Sequence, residues 1–507
     1  MIIVKNLILF IFVSFLIPAF AETVIKDIDK DIFISNSLQG KVLKLSLTDC
    51  IVYALKNNSE VLIKKIEPNL RELDIKIAKG RFDPVITGEA FLTEVKEKPT
   101  SSFSYSELES REFAFGLKGR LITGTDYSLE LRNKRTKTDL ALQNINPYYE
   151  TTPTFTITQP LSKNSGILVN TADIVIARNS KIQSYESFKD TVMDIVSKTK
   201  VCFYSYMFHL QSYAIAESSL ARAKDLLDIV RQRYSKGLVS EVDLLEIETV
   251  VVEREKLLIS AEAQLKRAED ELKLITNFIN DPQNWNAQIE IVESKLEFKE
   301  EPVSLLESLK SAFEFRPDYR IAKLNLDNRN IKVVTAKNSV LPMVDLVASL
   351  SFNGLGDSGY QSLEKIDKDY KSYGLGVRVT LPLDDIDRAR LEQREKELEQ
   401  ALLSFKRLEQ KIILEVRDRV RDIDIQKRKV KVAKLNWEKE DKNYSAQKER
   451  YIAGLVSTHD ILDYQDRLFQ AELDYTKSII DYNIALINFD KSIGLTLVRN
   501  GIKLEEE

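Results

Sequence analysis

Hydrophobic residues recur at seven-residue steps in two separate stretches of this chain. The first series is Leu244, Val251, Leu258, Leu265 and Leu272; the second is Ile461, Leu468, Tyr475, Tyr482 and Phe489. Apolar residues at that spacing form the seam of a coiled coil. Each series follows a long stretch without proline or glycine, from about 169 to 234 and from about 388 to 451. Those stretches predict helices of about 100 Å at 1.5 Å per residue. A different period appears elsewhere. After Pro84, around Phe113–Leu121, at Thr154–Thr158, at Val344–Phe352 and at Tyr373–Thr380, apolar and polar residues alternate. Segments of about ten residues with a period of two, separated by polar loops, carry the weak signature of a membrane β-barrel.

Both patterns occur twice. Arg233–Leu245 recurs as Arg450–Leu462, with eight of thirteen residues identical at an offset of 217. Upstream the offset is 258, pairing Ala54 with Ala312, Ala78-Lys79 with Ala336-Lys337, and Pro84 with Pro342. Each half therefore runs helix, proline-bounded strands, long helix, Gly-Leu-Val-Ser turn, returning helix. The expected organisation is a first repeat over 22–280 with strands about 84–161, a linker at 281–302, a second repeat over 303–494 with strands about 342–383, and a tail at 495–507. The returning helices are about half as long as their partners. The pre-strand helices, roughly 47–80 and 303–337, can supply the missing length by stacking end to end. A hairpin around Gly124 has no counterpart in the second half. The count is thus four to six strands, too few to close a barrel, for which roughly eight is the minimum. Open strand edges are not tolerated in lipid, so strands in a membrane would require several chains to share one barrel.

Composition narrows the class. Charged residues make up 30% of the chain, and 78 acids nearly balance 74 bases. That balance leaves no footprint for nucleic acid. The first 21 residues carry Lys5, an apolar run and Ala19-Phe20-Ala21, which read as a secretory signal with the mature chain starting at Glu22. No later apolar run approaches 18 residues, so no transmembrane helix is expected after it. Cys50 and Cys202 permit one disulfide, but they read more simply as small core residues. His209 sits in an aromatic stretch and reads as packed; His459 adjoins Asp460 near the second turn. No metal-ligand cluster, phosphate loop or nucleophile motif is present. No cofactor, metal or enzymatic activity is expected. Ser240-x-x-Asp243 and Ser457-x-x-Asp460 are capping-box patterns at helix starts.

These motifs, in this order, resemble the TolC-like outer-membrane efflux protein family over nearly the whole mature chain. The resemblance implies a mainly α fold with a β-barrel part, in which duplicated halves form a long α-helical barrel and a trimeric outer-membrane β-barrel. Each chain would give four strands to twelve. It further implies a passive channel of a tripartite efflux or type I secretion system, spanning the outer membrane and periplasm. Its partners would be two further copies, outer-membrane lipid, a periplasmic adaptor and an inner-membrane pump. The adaptor-docking tips would be Gly237, Leu238, Val239 and Ser240, with Gly454, Leu455, Val456 and Ser457. Asp460 and Asp463 match the carboxylates that ring the periplasmic entrance. Asp460 also reads as a cap, so Asp463 is the better gate candidate. Asp243 and Tyr451 match a bond that clasps one hairpin to the other. A second clasp of the family is missing, because Val456 and Val242 stand where it uses arginine and threonine. A periplasmic or surface coiled-coil scaffold or adhesin without a pore would explain the heptads and the signal, but not the duplicated strands.

Overall fold

A computed structural model describes residues 42–99, 101, 104–140, 143–278, 287–292, 298–381, 383 and 385–504. The expected secretory signal lies outside these residues, as do parts of the 281–302 linker and the end of the tail. The chain forms two compact units. In the small one, strand Val42–Leu45 pairs in parallel with Gln288–Ile291. A segment expected in the first repeat is therefore joined to one expected in the linker.

The large unit holds everything else. Helices α1 (Leu47–Asn57) and α2 (Ser59–Gly80) precede strands β1 (Val85–Lys96), β2 (Glu107–Arg120), β3 (Asp126–Thr138) and β4 (Tyr148–Pro160). Helix α3 (Ala172–Ser235) runs 64 residues and α4 (Glu241–Thr276) returns over 36. The second half repeats the plan with α5 (Leu305–Phe315), α6 (Pro317–Ser339), β5 (Met343–Gly356), the short α7 (Gly359–Glu364), β6 (Asp367–Thr380), α8 (Ile386–Ile452) and α9 (Thr458–Ser492). At 1.5 Å per residue, α3 and α8 are each roughly 100 Å long.

The heptad residues form the helix contacts. Ile461, Leu468, Tyr482 and Phe489 are almost fully buried, and Tyr475 stacks on Trp437 at 5.3 Å. End-to-end stacking is visible in side-chain bonds. Asn58 Nδ2 donates to the Ile275 carbonyl at the end of α4, and Asn277 Nδ2 donates to the Asn57 carbonyl. The equivalent junction in the second half has Arg316 Nη1 donating to the Ser492 carbonyl at 2.8 Å. Asn277 and Gly494 occupy matching positions, both left-handed, at φ 55° and 77°. A Cβ on Gly494 would lie 2.7 Å from the Phe315 backbone, so only glycine lets the two helix ends approach this closely.

All six strands form one antiparallel sheet in the order β1-β2-β3-β4-β5-β6. This corrects the expectation of four strands from this chain. The Gly124 hairpin is β2–β3, held in full register between β1 and β4. One register row reads Ile86, Leu117, Leu129, Phe155, Leu350 and Tyr373 across the sheet; the next reads Thr87, Gly116, Glu130, Thr154, Ser351 and Ser372. Neighbouring rows point to opposite faces. One face is therefore apolar and exposed along its width, and the other is polar.

Candidate functional site

The two Gly-Leu-Val-Ser turns fold alike. Gly237 (φ 69°) and Gly454 (φ 78°) are left-handed, the conformation that ends a helix most cheaply with glycine. Leu238 N–H donates to the Arg233 carbonyl and Gly237 N–H to the Tyr234 carbonyl. Leu455 and Gly454 make the same pair of bonds to Arg450 and Tyr451. The next helix then starts from a capping box. Asp243 N–H donates to Ser240 Oγ at 3.2 Å, and Asp460 N–H donates to Ser457 Oγ at 3.1 Å. In return the Ser240 and Ser457 backbone N–H groups donate to Asp243 and Asp460. Bonds from Ser457, hydroxyl first, hold the Asp460 carboxyl below its usual range. Asp243 is lowered in the same way by Ser240, with a smaller contribution from the Thr458 hydroxyl.

The apolar tip residues divide into two kinds. Leu238 is 64% exposed and Leu455 69%, whereas Val239 and Val456 pack against the buried cluster beneath them. Val242, Leu245 and Ile452 are also exposed and widen the apolar surface around the leucines. The heptad pattern conceals these three, because they lie off the seam.

The clasp is rebuilt relative to the expectation. The Tyr451 hydroxyl lies 3.2 Å from Thr458 Oγ1, and that threonine, not the tyrosine, acts on Asp243. The stronger tie comes from Arg233, whose Nη1 donates to the Tyr451 carbonyl at 2.7 Å and whose guanidinium lies 4.9 Å from the tyrosine ring centroid. Tyr451 is 1% exposed, and the bond from Arg233 to its carbonyl is part-buried. Further bridges join α9 to the first hairpin. His459 Nδ1 meets Glu246 Oε1 at 2.8 Å, Arg254 pairs with Asp466 at 2.9 Å, and Arg222 pairs with Glu472 at 2.9 Å. Sequence reasoning missed Arg233 and Glu246. The only signal for Arg233 was its place in the duplicated motif.

Asp463 takes no part in the cap. Its carboxylate is half exposed and pairs with Arg467, 2.6 Å away on the same helix face. Asp460 is turned into its own helix start, so the two carboxylates have different partners. Val456 packs inward and Val242 faces out, so neither forms the second clasp.

Residues 309–495 match the family model described as outer membrane efflux protein. No curated protein matches the chain. Several solved structures share its fold. The CmeC outer membrane channel of Campylobacter jejuni is 16% identical, with a TM-score of 0.64 over 91% of this chain and 87% of that one. The VceC outer membrane protein of Vibrio cholerae is 14% identical, with a TM-score of 0.64 over 88% and 96%. The MtrE outer membrane channel of Neisseria gonorrhoeae, in its open state, is 14% identical, with a TM-score of 0.62 over 89% of each chain. The second half of the chain is thus similar to outer membrane efflux proteins, and over most of its length the chain shares the mainly α, partly β fold of these solved structures.

Proposed function

We propose that this chain is one subunit of a trimeric outer-membrane channel, a passive conduit that an adaptor and an inner-membrane pump engage from the periplasmic side. One observation carries the reading: a single chain joins a sheet with one continuous apolar face to helices long enough to cross a periplasm. Among the described residues no helix is long and apolar enough to cross a membrane. The sheet is therefore the element suited to lipid. Its edges, β1 and β6, are open. Unpaired backbone groups cost several kcal/mol each in hydrocarbon, so other copies must close the wall.

On this reading the helices of three copies line a periplasmic tunnel. The exposed Leu238 and Leu455, with Val242, Leu245 and Ile452 beside them, receive the adaptor, and Gly237, Ser240, Gly454 and Ser457 shape the turns that present them. Asp463 supplies charge at the entrance, and the Arg233–Tyr451 contact holds the two tips of each chain together. The conduit makes and breaks no covalent bond; transport energy comes from the pump.

The test is extraction and reconstitution. The protein should leave cell envelopes only with detergent, run as a trimer by native mass spectrometry, and conduct ions in a planar bilayer. Release as a monomer by osmotic shock would refute the channel.

A further inference from the structure

The β2–β3 hairpin is the feature that the resemblance does not account for. The interval from Pro84 to Pro160 is 76 residues, against 40 from Pro342 to Pro382, a difference of 36. That is the length of one hairpin with its connections. An insertion of this size could fold away from the sheet as a surface excursion, or it could enter the wall.

Three observations place it in the wall. First, the hairpin separates β1 from β4, which bond only to the strands flanking them. Removing it would leave those two strands unpaired with each other. Second, its alternation is in phase with its neighbours. Phe113, Phe115 and Leu117, and Leu129 and Leu131, lie on the same face as Phe155, Leu350 and Leu375. On the opposite face Arg132 bridges Glu112 and Glu130, both at 2.8 Å, while on the apolar side Glu109 pairs with Arg111 and Arg135 beyond Phe113, at the end of the strands far from the Gly124 turn. Third, the turn is pinned at the base of the sheet. Arg120 clamps Asp126 with two bonds of 2.6 and 2.7 Å, and Gly166 N–H donates to the Thr123 carbonyl. At Gly124 a Cβ would lie 2.4 Å from the Asn164 carbonyl oxygen, so the turn is seated against the crossing into the helices.

We propose that all six strands of each copy form barrel wall, with β6 of one copy pairing antiparallel to β1 of the next. Three copies then span the outer membrane as one barrel of eighteen strands. This rests on the trimeric channel reading above. An even number of strands per copy lets every seam be antiparallel, whatever the copy number. Barrel diameter grows roughly linearly with strand number, so at equal tilt the bore is about one and a half times that of twelve strands. A bore of that width places the limit on cargo size in the helical part of the conduit and outside the membrane part.

Single cysteines in the full-length, reconstituted protein test this, with Cys50 and Cys202 replaced by alanine. Hairpin positions Phe115→Cys and Leu129→Cys should be quenched strongly by a nitroxide carried on lipid and react several-fold more slowly with a charged maleimide. Lys118→Cys and Glu130→Cys, on the opposite face and neither of them buried, should do the reverse. Leu375→Cys and Ser349→Cys, on β6 and β5, are the controls. If the controls alternate and all four hairpin positions react freely with the maleimide, the hairpin lies outside the wall and the proposal is overturned alone. If the controls also fail to alternate, the outer-membrane reading falls and takes the eighteen-stranded wall with it.

Discussion

The Arg233 guanidinium joins the two halves of the duplication at their tips, donating to the Tyr451 carbonyl and covering the tyrosine ring. Among the described residues the repeat-equivalent arginine, Arg450, donates from its side chain to Gln447 on its own helix, at 3.4 Å. The same arginine of the duplicated motif thus does different work in the two hairpins. A hydrogen bond from a charged group contributes ~1.5–3 kcal/mol. Arg233→Ala should therefore loosen the tips and raise the basal open probability in bilayers, while Arg450→Ala leaves the contact within the chain intact. Equal behaviour of the two variants would show that the Arg233 contact does not hold the closed state.

The second tip bridge is sensitive to pH. Glu246 accepts from His459 and raises the histidine above its ordinary value of 6.5, with Asp460 and Asp463 adding smaller effects in the same direction. A histidine with a raised folded pKa contributes its bridge fully below the unfolded value and loses it as pH rises through the folded one. The tips should separate more readily on alkaline titration across neutrality. Spin labels on the two tips would report the distance. Glu246→Gln should flatten the titration; a titration that persists in that variant would assign it to another group.

Asp460 and Asp463 should respond differently to neutralisation. Asp460 is committed to the capping box, and losing the Ser457 cap costs about 0.5–2 kcal/mol. Ser457→Ala and Asp460→Asn should thus lower the melting temperature with little effect on block by multivalent cations. Asp463→Asn should weaken that block and leave stability nearly unchanged. If Asp460→Asn relieves block as strongly as Asp463→Asn, the cap does not hold its carboxylate out of the pore.

Burial pushes the Asp490 carboxyl up to about 6, although Arg499 and Lys200 pull against the rise. Arg499 Nη1 is 2.7 Å from Asp490 Oδ1, yet that oxygen accepts no hydrogen bond, so compensation is incomplete. With the folded value above the unfolded one, the ionised form costs stability above about pH 6 and the cost disappears on acidification. A rise from the ordinary carboxyl value to about 6 corresponds to about 3 kcal/mol. The protein should melt higher at pH 5 than at pH 7.5, and Asp490→Asn should reduce the difference. Arg499 retains Glu301 at 3.0 Å in that variant. An unchanged pH dependence in Asp490→Asn would locate the effect elsewhere.

The helical plan was legible in the sequence because coiled-coil packing is written locally. Leu272 and Phe489 are buried where the heptads place them, and the Gly237 and Gly454 turns carry their own chemistry. Helix stacking was also legible as a length deficit, but not the asparagine and arginine bonds that secure it. The clasp was misread for a physical reason. Thr458 stands between Tyr451 and Asp243, and side chains about 200 residues apart meet by tertiary geometry alone. The strand count was open because one hairpin with period two looks the same inside a wall as outside it. Only register across neighbours distinguishes the two, and sequence does not display register.

The even strand count has a consequence for how such proteins can change. Each visit to the sheet must leave and return on the side where the helices begin, so an insertion of one strand would strand the chain on the wrong side. A hairpin is the smallest permitted unit. Width in this architecture is therefore inherited in steps of two strands per chain, and within one repeat it can change without disturbing the helices or the tips.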